Sequence, residues 1–338
     1  LDGKVYPLDA LGLLVVNSNP KPGTSRSLLT FDGTVMGVMP TQITVVDRVR
    51  LPVGTETIPA LQLRINRAKL DVTIWIDSLG LSIREESPVG MSSIRTTPEL
   101  AAAGELEGAS LDLMTMFSVP TDTTVPEPSE VQTALLEITG IDSTILDLSG
   151  GSQRVISRQP LRVEVRSELP EVEIRLPIRD MKEYLRPTIS LPSDDPRIVQ
   201  TARQIVGNER SAVTASQRLL EWVYRSLEKR ATASFPNARD VLEQMSGDCN
   251  EHATLYAAMA RSVGIPCRVA VGLVYLDRAF YYHAWNEVYL GSWVPIDPTF
   301  GEFPAGALRL RLASGEIAEQ SQVLAAARRI GIRIVEFR

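Results

Sequence analysis

The chain has 338 residues, 44% of them hydrophobic and 22% charged, an ordinary balance for a globular protein and enough length for two separate cores. A formal net charge of −6 speaks against a general nucleic-acid surface, which needs clustered positive charge to displace phosphate counterions. No apolar run approaches the roughly 18–20 residues that span a bilayer, so no integral membrane segment is expected in this chain.

The chain opens Leu1-Asp2-Gly3 without a methionine, which implies removal of an upstream piece. A signal peptide there would make the protein periplasmic or secreted. The longest early apolar run, Leu11 to Val16, is expected to form a strand. Residues 1 to about 190 read as strands and turns. Gln42–Val46, Leu61–Ile65 and Leu161–Val165 alternate apolar and polar at period two, the mark of a half-buried strand. Val72–Asp77 and Gly80–Arg84 read as a hairpin turning at Ser78–Gly80. Ala101–Met116 is expected to be a helical or irregular insert, and Thr121–Ser129, with Pro126 and Pro128, a loop.

Near residue 190 the texture changes. Asp195 followed by Pro196 signals a helix start, and helices are expected over about 196–207 and 211–230. A third begins at Cys249. Strands follow at Cys267–Tyr275, Phe280–Leu290 and Trp293–Asp297. After about residue 306 the tail reads strand, helix (Gln320–Ile330), strand (Ile332–Phe337). The expected architecture is α+β: a β-rich N-terminal domain over 1–190, then helices packed on an antiparallel sheet over 191–338.

The chain has two cysteines. The segment between them reads as one helix, which would hold them too far apart for a disulfide. Cys267, heading an apolar strand, is read as packing. Cys249 differs. Asp248 is a natural N-cap, with Glu251 at the spacing of a reciprocal capping box. That puts Cys249 in the first turn, where unpaired N–H groups and the helix dipole favour a thiolate and can hold an oxyanion. Cys249, Ala253, Tyr256, Ala260 and Val263 fall on one helical face.

There are also two histidines. His252, one turn along the same helix, is read as packing or a hydrogen bond at the helix start. His283 lies on a strand whose alternation puts Tyr281, His283, Trp285 and Glu287 on one face. Asp297, between Pro295 and Pro298, suits a carboxylate that must hold an imidazole in one tautomer. A two-residue loop between the strands would put Asp297 on the wrong face. An odd-length loop, Leu290 to Ser292, pairs Tyr289 with Trp293 and sets His283 diagonal to Asp297. An odd loop or a bulge is therefore expected. Two cysteines and two histidines at these spacings match no metal-ligand pattern.

Four ordered blocks, Gly247-Asp248-Cys249-Asn250-Glu251-His252-Ala253, Arg261–Val269, Tyr282-His283-Ala284-Trp285-Asn286-Glu287-Val288 and Trp293–Thr299, resemble the bacterial branch of the transglutaminase-like superfamily over about residues 195–305. The resemblance implies a papain-like α+β core with Cys249, His283 and Asp297 as its triad, and Trp285 and Tyr282 are read as shaping the cleft. It implies cysteine-dependent acyl transfer at amide bonds through a thioester. The expected acceptor is water, with a protein or peptide substrate (a peptidase or amidase). The alternatives are a transglutaminase that uses an amine, and a binding or assembly protein that keeps the fold. No cofactor is implied, and no acidic loop has calcium-ligand spacing. The Trp75–Glu86 hairpin bears a local resemblance to the open β half-barrels of periplasmic lipoprotein-carrier-like proteins. That implies a partner or lipid contact through the N-terminal domain, against the alternative of an ordinary antiparallel sheet.

Overall fold

The structure, a computed structural model, describes residues 3–32, 37–53, 56–67, 70–86, 92–97, 118–141, 148–230, 236–315 and 330–338. The chain divides into two compact units, Leu1–Ala109 and Ser110–Arg338. This division falls well before residue 190, where the texture of the sequence changes.

The first unit is a seven-stranded sheet in the order β1 to β7: Val5–Pro7, Ser25–Asp32, Gly37–Val53, Glu56–Arg67, Leu70–Ile76, Ser82–Glu86 and Ser92–Ile94. The expected hairpin is β5–β6. Its turn is closed by the Gly80 N–H donating to the Asp77 carbonyl at 3.0 Å. The expectation for Leu11–Val16 is corrected: Leu11–Asn17 is a helix, α1. An all-apolar run carries no period, so only packing could choose between helix and strand. Leu11 and Val15, four apart and so on one helical face, are buried with Ile43, Val45, Leu63 and Ile65 of the sheet. A side chain on Gly12 would strike the Gly80 carbonyl, so this helix meets the β5–β6 turn backbone to backbone. The Ala101–Met116 segment lies outside the described residues.

The second unit holds two larger sheets. Strands β8 (Ser118–Pro120), β9 (Thr133–Thr139), β10 (Gln153–Arg158) and β11 (Leu161–Arg166) precede the helices in the chain. Two of them, β8 and β9, also find partners after the helices. The sheet order β10-β11-β9-β18 ends on Gly331–Phe337. Strand β8 adds to β15 (Ala279–Tyr289), with Val119 opposite Phe280. Such pairing over long sequence separations is why the stretch 118–190 belongs with the helices, and local texture carries no trace of it.

Helices α2 (Pro196–Val206), α3 (Ala212–Ser226), α4 (Ala238–Gln244) and α5 (Cys249–Ser262) follow. Helix α3 ends four residues earlier than the expected 230, because Glu228–Lys229 (β12) pairs with Ser246–Gly247 (β13) just before Cys249. The short α4, capped by Asn237, is not expected from the sequence pattern. The main sheet runs β16-β15-β14-β17, where β14 is Cys267–Leu276, β16 Trp293–Ile296 and β17 Arg309–Ser314. Helix α5 packs on β14 and β15 and is covered by α2, α3 and α4. Every residue from Glu251 to Ala260 is buried, so the single apolar stripe expected for this helix is instead burial on all sides. The helix expected over Gln320–Ile330 lies, but for its last residue, outside the described residues. Among the described residues no helix is long and apolar enough to cross a membrane.

Candidate active site

The capping box at the start of α5 forms as expected. The Asp248 carboxylate accepts the Asn250 N–H at 2.8 Å, and the Glu251 carboxylate accepts the Asp248 N–H at 2.9 Å. Cys249 is thereby the first residue of the helix, 5% exposed. Its sulfur accepts the backbone N–H of Ala284, the neighbour of His283 on β15.

The register of β15 and β16 meets the odd-loop expectation. Tyr289 faces Trp293 across the three-residue loop Leu290–Ser292, and Asn286 faces Ile296. Continued by one step, this register sets Trp285 opposite Asp297 and His283 diagonal to it on the same face. His283 Nε2–H donates to Asp297 Oδ2 at 2.7 Å, with both side chains fully buried. His283 Nδ1 is also buried and has no hydrogen-bond partner. Asp297 is held at every lone pair: Oδ1 accepts the N–H groups of Thr299 (2.9 Å) and Phe300 (3.1 Å), while Oδ2 accepts His283 and Arg309 Nη2 (3.0 Å). Burial pushes this carboxyl up. The charge and hydrogen bond of His283, then those of Arg309, more than offset that push and hold it far below the usual carboxylate range.

Arg309 is the residue that sequence reasoning missed. Leu308-Arg309-Leu310-Arg311-Leu312 looks like a strand with its arginines in solvent, yet both arginines are buried. The pattern was visible, but the cover over the second face was not.

The environment of the sulfur differs from the expectation of a favoured thiolate. Burial raises the Cys249 thiol well above its ordinary value, and the carboxylates of Asp248, Asp297 and Glu251 push the same way. Only the Ala284 N–H opposes them. A helix start supplies partial positive charge, but three carboxylates surround this one. Burial and these carboxylates both favour the thiol over the thiolate.

Asp248 itself is raised to about 7, first by burial and then by its hydrogen bond to Glu251 and that group's charge. In the unfolded chain it titrates near about 4. Between these values the folded state keeps a proton that the unfolded chain has lost, so this contribution to stability falls as pH rises from 4 to 7. Asp248→Asn keeps an N-capping side chain and should flatten the fall in urea midpoint across that window. Parallel pH profiles for variant and parent would refute the assignment.

His252 takes the expected bond at the helix start, Nδ1–H donating to the Asp248 carbonyl at 2.7 Å. Cys267 is fully buried and its thiol is pushed up to about 12, chiefly by burial. Both cysteines are free. Trp285 and Tyr282, read as cleft residues, are buried. The Trp285 ring lies 6.4 Å from His283 in a parallel arrangement, and Phe300, not singled out beforehand, stacks on His283 at 4.6 Å. Among the described residues no group of three or more His, Cys, Asp or Glu side chains could hold a metal ion.

A buried cysteine opening a central helix, beside a strand whose histidine is held by an aspartate of the next strand, is the arrangement of a papain-like cysteine acyl-transfer core. Residues 199–298 match the model of the transglutaminase-like superfamily. A protein of Mycobacterium leprae without assigned function is 28% identical over 166 residues, 45% of this chain. The match spans 58% of that relative's length. Among solved structures, a protein of Cytophaga hutchinsonii provisionally named a cysteine protease aligns at 16% identity and TM-score 0.38, covering 62% of this chain and 87% of its own. The periplasmic domain of TgpA from Pseudomonas aeruginosa aligns at 16% identity and TM-score 0.35, covering 54% and 87%.

Proposed function

We propose that Cys249, His283 and Asp297 work as a triad for acyl transfer at amide bonds, with water as the acceptor and a protein or peptide as substrate. The observation that carries this reading is the bond from His283 Nε2 to Asp297, which leaves Nδ1 free on the strand whose next N–H meets the Cys249 sulfur. His283 Nδ1 takes the thiol proton as sulfur attacks the amide carbonyl. The imidazolium so formed is stabilised by Asp297 and returns the proton to the departing amine, leaving a thioester on Cys249. Water, deprotonated by the same imidazole, then releases the acid. The Asn250 N–H is committed to the cap, so the oxyanion falls to the N–H of Cys249 itself. A resting thiol suits this order: the proton moves as the substrate binds, and no permanent ion pair is needed.

Casein incubated with a fluorescent primary amine tests the reading. New peptides or released ammonia without label support hydrolysis, whereas label bound to casein makes the protein a transglutaminase. Neither, together with alkylation of Cys249 no faster than Cys267, would leave a binding protein that retains the fold.

A further inference from the structure

We infer that Arg309 is a positioning residue of this site: it fixes Asp297 and tempers its charge, so that His283 can both accept and surrender a proton. The inference rests on the triad reading above and adds a member to it. Arg309 stands on β17 opposite Val274 of β14, and is 4% exposed. Its Nη2 donates to two carboxylates at once, Asp297 Oδ2 at 3.0 Å and Glu302 Oε2 at 2.7 Å, while Nη1 donates to the Gly306 carbonyl at 3.0 Å. The loop it spans is closed on itself, with the Asp297 N–H donating to the Glu302 carbonyl at 2.9 Å and the Glu302 N–H donating back at 3.0 Å. A planar guanidinium can span such a fork, whereas an ammonium on a flexible stem cannot.

The charges explain the role. With Arg309 present, two carboxylates share one cation, and a proton on His283 brings the cluster to neutrality. Without Arg309 the cluster carries one more negative charge in a buried setting, and Asp297 grips the imidazolium harder. A base so held takes the thiol proton readily and gives it up to a leaving amine poorly. Arg309 competes with His283 for the same oxygen, Oδ2, and so keeps that grip moderate.

The test is the pH dependence of iodoacetamide alkylation at Cys249, with labelling at Cys267 resolved by peptide mapping and folding checked by thermal unfolding. In Arg309→Met the imidazolium is held to higher pH, so the acid edge of the Cys249 profile should move up by about one pH unit. Arg309→Lys should give a smaller shift in the same direction. Glu302→Gln leaves the guanidinium's charge to Asp297 alone and should move the edge down. A purely structural role would slow labelling at every pH and leave the edge in place, and that result in folded Arg309→Met and Glu302→Gln overturns the inference. Should Arg309→Met fail to fold, an unmoved edge in Glu302→Gln suffices. His283→Ala and Asp297→Asn separate the two claims. If both label Cys249 as the parent does, the triad reading itself is wrong; if they slow it while the Arg309 and Glu302 variants leave the edge unmoved, only the role of Arg309 is wrong.

Discussion

Cys249→Ala is expected to abolish both peptide release and amine incorporation on casein, a loss on the order of 10⁵-fold or more, since no other group in the site can carry the acyl chain. The fold should survive. The change removes one sulfur atom at the first position of α5 and leaves the Asp248–Glu251 capping box untouched. A cavity of that size costs about 1 kcal/mol. Cys267 cannot substitute: it is fully buried, and its thiol is raised to about 12. Residual turnover in Cys249→Ala above a few per cent, with the circular dichroism spectrum unchanged, would remove the cysteine from the mechanism.

Asp297→Asn should instead damage activity and stability together. An amide in this place must set either its NH₂ against the two donors at Oδ2, His283 Nε2 and Arg309 Nη2, or the same NH₂ against the two backbone N–H groups at Oδ1. Neither orientation satisfies all four. His283 can relieve the conflict by moving its proton to Nδ1, the tautomer that cannot accept the thiol proton. A loss in kcat on the order of 10³–10⁴ follows. Arg309 also loses one of its two carboxylates in a buried setting, which costs about 3 kcal/mol, so the urea midpoint should drop as well. The same ion pair fixes a sign in acid. The Asp297 carboxyl is held far below its ordinary range, so its contribution to stability is complete above about pH 4 and is lost as pH falls towards its folded value. In Asp297→Asn that acid-dependent part should be absent. An active Asp297→Asn protein would show that His283 needs no carboxylate.

The two variants probe different parts of the design. Cys249 sits at the end of a helix already capped by its neighbours, so its side chain is spare to the fold. Asp297 is where a strand end, a loop, a histidine and an arginine meet, so fold and chemistry share it.

Much of the candidate site was legible because it depends on rules that act over a few residues. Asp248 and Glu251 mark a helix start by capping geometry alone. The face shared by His283 and Asp297 follows from the two-residue period of a strand and the parity of one loop. The distant parts were illegible for an equally physical reason. Arg309 is an ordinary strand arginine until β17 pairs with β14 and the Asp297–Glu302 loop closes over it. The raised thiol of Cys249 depends on burial first, and then on carboxylates brought together from the helix start and the end of the neighbouring strand.

The sequence by itself determined where the helix of Cys249 begins, which strand residues can reach one another, and the α+β order of the core. Only the tertiary structure decided that Leu11–Asn17 is a helix, that 118–190 joins the second unit, and that an arginine shares the aspartate. Capping and alternation are local properties of the chain, whereas burial, long-range strand pairing and charge balance exist only once separate segments have met.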